Sequence, residues 1–155
     1  MRIPAALALP VVLTVAVAPS PTMTAATPLA GVASQAADAP AYVAYYWKAR
    51  PGKLAEYNAY IREVAEPIDE EARKAGVFVE VVTVTPVVDP KGPEPEWTHL
   101  RIFTLRNLAA VGELSPGLDA ATARVVPSEA QRKANAERSA PLRDLVRREV
   151  WTALR

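Results

Sequence analysis

Residues 77–88 form a run in which only Phe78, Glu80 and Pro86 lack a β-branched side chain. Branching at Cβ suits a pleated surface and costs rotamer freedom in a helix, so the run predicts a strand. Side chains alternate along a strand, which places Val77, Val79 and Val81 on one face and Phe78, Val82 and Val84 on the other. Both faces are then apolar. One layer of helices covers one face of a sheet, and the other needs a second cover. A second copy of the chain is the simplest source, and a homodimer is the expectation.

The flanking segments supply the rest of such a sheet. Residues 41–48 are aromatic and β-branched and run into Arg50-Pro51-Gly52, a strand closed by a turn. Leu54, Tyr57, Ile61, Val64, Ala65, Ile68, Ala72 and Ala75 recur at intervals of mostly three and four, an amphipathic helix stopped by Gly76. Pro67 lies inside it and predicts a kink or a split near Val64. The acidic cluster Asp69, Glu70 and Glu71 reads as a solvated face of that helix. After a proline-rich turn the chain resumes as a strand over residues 96–105. Residues 107–114 suggest a short helix broken at Ser115-Pro116-Gly117, with another turn or two over 118–125. Ser128 and Gln131 form a capping-box pattern that opens a helix running to about Ser139. Residues 145–154 alternate and read as a last strand, with a C-terminal helix as the alternative.

The order is βαββαβ. It defines an α+β domain with the ferredoxin-like arrangement, a four-stranded antiparallel sheet carrying helices on one face. Right-handed crossovers place the first strand between the third and the last.

Ahead of the domain, Arg2 precedes an apolar stretch over residues 5–18 that only Pro10 and Thr14 interrupt. This is signal-peptide length, short of the ~20 apolar residues that a membrane span requires. Small residues place cleavage between Ala26 and Ala36, giving a signal peptide over 1–26, a Pro/Ala-rich linker over 27–40 and a folded domain over 41–155. Export to the periplasm or the extracellular space follows, with no stable membrane span after processing. Removing Arg2 with the leader leaves 17 of the 18 basic residues against 17 acidic ones. A neutral chain without basic runs lacks the phosphate-binding footprint of nucleic-acid proteins. The absence of cysteine removes disulfides, zinc–thiolate sites and thiol nucleophiles. No glycine-rich phosphate loop and no serine elbow is present, which argues against nucleotide cofactors and serine hydrolysis.

His99 is the only histidine. Period-two alternation groups it with Trp97, Arg101 and Phe103, and turns Leu100 and Ile102 the other way, toward the helices. On the last strand Arg147, Glu149 and Trp151 share a face. On the first, either Tyr45 with Trp47 or Tyr42 with Tyr46 joins the open side. The combination predicts an aromatic-walled ligand site on the open face of the sheet. His99 and Arg101 are its candidate catalytic groups, the neutral imidazole being a natural proton acceptor. Tyr45, Trp47, Trp97, Phe103, Glu149 and Trp151 are its candidate ligand-binding residues. The structural alternative makes His99 a hydrogen-bonded interface residue, Arg101 and Glu149 an ion pair between subunits, and the tryptophans dimer core.

Arg50-Pro51-Gly52-Lys53 with Tyr57, the segment Glu96-Trp97-Thr98-His99-Leu100, and the closing Val146-Arg147-Arg148-Glu149-Val150-Trp151 give the chain a likeness to known proteins. Over residues 41–155 it resembles the dimeric α/β-barrel superfamily, which includes antibiotic-biosynthesis-monooxygenase-like and NIPSNAP-like domains. The resemblance implies that two domains pack sheet to sheet around an interior that takes small aromatic or polycyclic molecules, in some families haem. Axial ligation of haem by His99 is the minor alternative, and no cofactor is the expectation. The chain thus reads as an exported small-molecule-binding protein or cofactor-independent enzyme acting on an apolar or aromatic ligand. The alternative is a structural or interaction module whose dimer core is filled.

Overall fold

The computed structural model describes residues 39–87 and 92–153; the expected signal peptide, nearly all of the linker and part of the proline-rich turn lie outside them. Four strands, β1 (Ala41–Ala49), β2 (Glu80–Val84), β3 (His99–Leu105) and β4 (Arg143–Thr152), form one antiparallel sheet in the order β2-β3-β1-β4. This is the ferredoxin-like arrangement, with β1 between β3 and β4 as the crossover rule requires. The last segment is a strand, and the helical alternative falls away. β1 is central, and Ala41, Val43 and Ala44 are fully buried. Val43 packs under the helices, while Ala44 is covered on the other face by Tyr46, Leu100 and their neighbours in the sheet.

Between β1 and β2 lie α1 (Leu54–Tyr60), a π-helical turn (Ile61–Ala65) and α2 (Glu66–Lys74). Pro67 has no N–H to donate, and its ring crowds the carbonyl four residues back, so a regular helix cannot pass through. The turn ahead of it widens instead, and the Glu66 N–H reaches the Ile61 carbonyl. The split falls where the proline predicts it. Gly76, at φ +74°, ends the helix in the left-handed region that glycine adopts without penalty.

The strand expected over 77–88 is shorter than its composition suggests. The Val77 N–H bonds to the Ala72 carbonyl at 3.0 Å, capping α2 rather than pairing in the sheet. Phe78 packs with Ala72, Phe103, Leu114 and Ala121 in the core under the helices. β2 therefore begins at Glu80, and the apolar residues of the run left exposed on the strand are Val82 and Val84, with Val79 exposed just ahead of it.

α3 (Leu114–Val125) runs through Ser115-Pro116-Gly117 and corrects the expected break. Pro116 stands in the first turn, where an N–H has no helical acceptor, so its lack of one costs nothing. Gly117 is there for proximity: a Cβ on it would lie 2.4 Å from Val77 Cγ1. The short helix expected near 107–114 is a 3₁₀ turn (Leu108–Val111) whose Ala110 N–H donates to the Asn107 side chain at 3.1 Å. α4 (Glu129–Ser139) starts at its expected cap, Ser128 Oγ accepting from the Gln131 N–H at 3.3 Å.

The register fixes which side chains face the helices. Trp47 stands opposite His99, Tyr45 opposite Arg101, Val43 opposite Phe103, and Thr83 opposite Arg101 on the other side. This set meets α1, α2 and α3. Ala44, Tyr46, Leu100 and Ile102 form the apolar cluster on the uncovered face. The expectation that His99, Arg101 and Phe103 occupy the open face, with Leu100 and Ile102 under the helices, is thus inverted.

Candidate functional site

Arg101 projects from β3 to Asp69 on α2, and the two form an ion pair in which both residues are less than a tenth exposed, at 8% and 7%. Arg101 Nε also donates to Thr83 Oγ1 at 3.3 Å, and the guanidinium lies 5.3 Å from the Phe103 ring centroid. Burial pushes the Asp69 carboxyl above its usual range, against the downward pull of Arg101. Asp69 is therefore no part of a solvated face. It shares the buried side of α2 with Ala72, while Glu70 turns outward to Arg73 at 2.9 Å.

His99 is 1% exposed. Its Nε2 lies 2.7 Å from Asn58 Oδ1 and its Nδ1 2.9 Å from Thr98 Oγ1. Burial, with Arg143 and Arg101 nearby, holds its pKa below the ordinary imidazole value, so the ring is neutral at pH 7. A neutral ring fits these partners when Nε2–H donates to the Asn58 carbonyl oxygen and Nδ1 accepts from the Thr98 hydroxyl. Thr98 Oγ1 in turn accepts from the Ala49 N–H at 2.7 Å. The Tyr57 ring meets the imidazole edge to face at 4.5 Å. Both ring nitrogens are engaged within a closed network that ties α1 to β3 and β1.

Beside this network a cavity of about 210 Å³ opens between sheet and helices, lined by Tyr45, Trp47, Arg101, Phe103, Leu118 and Arg143. Tyr45 and Trp47 present nearly parallel rings, 14° apart with centroids 6.4 Å apart, and Phe103 meets Tyr45 edge-on at 5.9 Å. Arg143, the first residue of β4, lies over the Trp47 ring at 3.9 Å and donates from Nη1 to the Tyr57 hydroxyl at 2.8 Å. Burial pushes the Tyr57 hydroxyl pKa up, so it stays protonated at neutral pH. On the far side of the Asp69–Arg101 pair a larger groove of about 410 Å³ is walled mainly by charged side chains such as Glu66, Glu70, Arg73 and Glu80. Among the described residues no group of three or more acidic or histidine side chains is placed to hold a metal ion.

Four residues singled out from the sequence, Tyr45, Trp47, Arg101 and Phe103, thus share one cavity, on the opposite side of the sheet from that expected. Trp97, Glu149 and Trp151 lie across the sheet from them. Trp97 precedes β3, so strand alternation does not govern it, and its ring packs 5.8 Å from Tyr46 on the uncovered face. Glu149 accepts from the Tyr46 hydroxyl at 3.1 Å and from Arg147 Nε at 2.9 Å, so Arg147, not Arg101, is its ion-pair partner. Trp151 stands opposite Tyr42. Leu118 and Arg143 escaped the sequence reading. The sole signal for Arg143 is the pair Tyr57 and Tyr60, one helical turn apart, whose rings it faces at 5.1 and 5.8 Å.

No family model and no curated protein matches the sequence. Solved structures match its fold. A NIPSNAP family protein of unknown function from Agrobacterium tumefaciens superposes with a TM-score of 0.51 at 12% identity, covering 77% of this chain and 91% of its own. An EthD-like protein from Ralstonia eutropha gives 0.48 at 8% identity, over 74% and 91% of the two chains. A dimeric protein of unknown function and ferredoxin-like fold from Bacteroides fragilis gives 0.40 at 13%, over 74% and 93%. The likeness is one of fold. The ferredoxin-like fold expected from the sequence is borne out, and at these identities the fold is all the likeness conveys. Among the described residues no helix is long and apolar enough to cross a membrane.

Proposed function

We propose that this domain binds a small aromatic or apolar molecule in the cleft between its sheet and its helices, and that it works by binding rather than by proton transfer. The observation that carries the reading is the cavity itself: three aromatic rings and Leu118 beside the polar edges of Arg101 and Arg143, about 210 Å³ in all. Apolar walls with a few converging polar groups are the usual composition of a ligand site. The volume lies below the ~300–1,000 Å³ of most ligand clefts and suits a molecule of one or two rings. His99 supports binding over catalysis, since both its nitrogens already have protein partners. In this reading it stiffens the wall, while Tyr45, Trp47, Arg101 and Phe103 touch the ligand, and no cofactor takes part.

The same reading has the chain exported, on the strength of its leader, and active as a homodimer through the uncovered face, where Val82, Val84 and Trp151 remain about 40% exposed at 42%, 39% and 39%. Tryptophan fluorescence tests the site, because Trp47 alone of the three tryptophans lines the cavity. Aromatic compounds that quench the protein should lose that effect in Trp47→Phe and retain it in Trp97→Phe and Trp151→Phe. Quenching that survives Trp47→Phe would sink the assignment of the cleft.

A further inference from the structure

Arg143 is anchored without an anion. Among the described residues no carboxylate lies within ion-pairing distance of it, and its sequence neighbour Asp144 is turned to Arg50 at 2.7 Å. Its one hydrogen bond to a side chain leaves from Nη1, to Tyr57. Among the described residues the Nε and Nη2 donors, which form the flat edge of the guanidinium, have no acceptor. The same edge is what Arg50 offers Asp144 and Arg73 offers Glu70, each as a two-point contact at 2.7–3.1 Å. Meanwhile the rings of Trp47, Tyr57 and Tyr60, with centroids 3.9, 5.1 and 5.8 Å away, hold the cation in place. The other cation of the cavity, Arg101, already pairs with Asp69. Of the two cations lining the cleft, Arg101 is thus neutralised by a carboxylate behind it and Arg143 is not, with His99 beside them neutral and both its ring nitrogens engaged by Asn58 and Thr98.

A half-buried guanidinium with a free fork and no counter-ion favours a planar carboxylate, which it grips at two points with less water to displace than at the surface. Preorganisation by the three rings lowers the ordering cost of that contact. We infer that the ligand of this cleft is an aromatic carboxylate of one or two rings, its carboxylate on the Nε–Nη2 edge of Arg143 and its ring among Tyr45, Trp47 and Phe103. This inference rests on the cleft being the binding site and adds the chemical class of what enters it.

The test compares isosteres that differ in charge. Isothermal titration of the protein with 1-naphthoate and with 1-naphthamide should show the acid binding at least about tenfold more tightly, the usual gain from a charge-assisted two-point contact. Arg143→Gln should bring the acid down to the amide's affinity and leave the amide within about twofold. Equal affinity for acid and amide in the wild-type protein overturns the carboxylate assignment while leaving the cleft as a binding site for neutral aromatics. That comparison needs no variant to fold. If neither compound binds, or if filling the cavity by Leu118→Trp leaves the binding of both unchanged, the cleft and the inference fall together.

Discussion

Asp69 and Arg101 meet across the boundary between α2 and the sheet, 32 residues apart in the chain, with each side chain about a tenth exposed at 9% and 10%. Removing one partner of such a pair leaves a charge with neither water nor counter-ion. Arg101→Met should therefore cost about 3–5 kcal/mol, whereas Asp69→Leu with Arg101→Met should recover most of the loss. Denaturant unfolding of both single variants and the double variant checks this. Additive losses in the double variant would show that the two side chains do not act as a pair.

Gly117 is held to its identity by Val77. In a helix, alanine is ordinarily better than glycine by about 0.5–1 kcal/mol. Here the added Cβ would fall 2.4 Å from one Val77 methyl carbon and 2.7 Å from the other. Gly117→Ala should reverse the usual sign and destabilise by about 1–3 kcal/mol, the ordinary cost of overpacking. Val77→Ala should relieve much of that cost in the double variant. A thermally stabilised Gly117→Ala single variant would refute the close approach.

These two contacts also mark the limit of what the sequence discloses. Strand order follows from local signals: turn residues at Arg50-Pro51-Gly52, helical periodicity ended by Gly76, and the handedness of the crossovers. Pro67 and Ser128 act within a few residues of themselves, so their effects are legible too. The face of β3 is not. Trp97, His99, Arg101 and Phe103 read as the open side because two of the four are polar, and polarity is ordinarily a mark of exposure. The burial of His99 and Arg101 depends on Asn58, Thr98 and Asp69, whose pairing across the fold leaves no periodic trace. Asp69 sits in an acidic run that looks solvated, and only the third dimension separates it from Glu70. The cleft was half visible: its aromatic walls could be named, but Arg143 and Leu118 reach it from β4 and α3.

His99 should make the fold acid-sensitive. Its folded-state pKa lies below the ordinary value because burial and two arginines disfavour the imidazolium. The unfolded chain therefore takes up this proton more readily than the native one, and protonation favours unfolding. Stability from this group is intact above about pH 6.5, the unfolded histidine value, and falls as the pH drops below it toward the folded pKa. Asp69 works in the opposite sense at lower pH: with its carboxyl pushed up, the native state takes the proton first, so acid regains some stability there. Thermal melts from about pH 8 to about pH 5.5 should show the loss in wild-type protein and a flatter profile in His99→Gln. Identical slopes would mean that His99 is not the titrating group.

Self-association should run through the uncovered face of the sheet. Val82 and Val84 alternate on β2 with Val81 and Thr83, and they differ sharply in surroundings: Val81 packs on the core under the helices, while Val82 is 42% exposed beside Ile102. Ala44, Tyr46 and Leu100 on the same face are already buried within the chain, packed with Trp97, Ile102 and Val146, while Trp151 on β4 stays exposed, and Arg147, Glu149 and Glu96 border the face with a chain of ion pairs. An apolar centre with a polar rim is how stable interfaces are built, at about 800 Å² buried per partner. At ~25 cal/mol per Å², the apolar part of such a patch supplies the driving force from which association costs are subtracted. A carboxylate at its centre removes that surplus without touching the fold. Val82→Glu should accordingly give a soluble monomer that melts as an intact domain, whereas Val81→Glu places a charge under the helices and should prevent folding. Light scattering and sedimentation of the two variants beside the wild type decide the matter. A wild-type protein that is monomeric at micromolar concentration would refute the dimer, and a Val81→Glu variant as well folded as Val82→Glu would refute the assignment of faces on which the cleft depends.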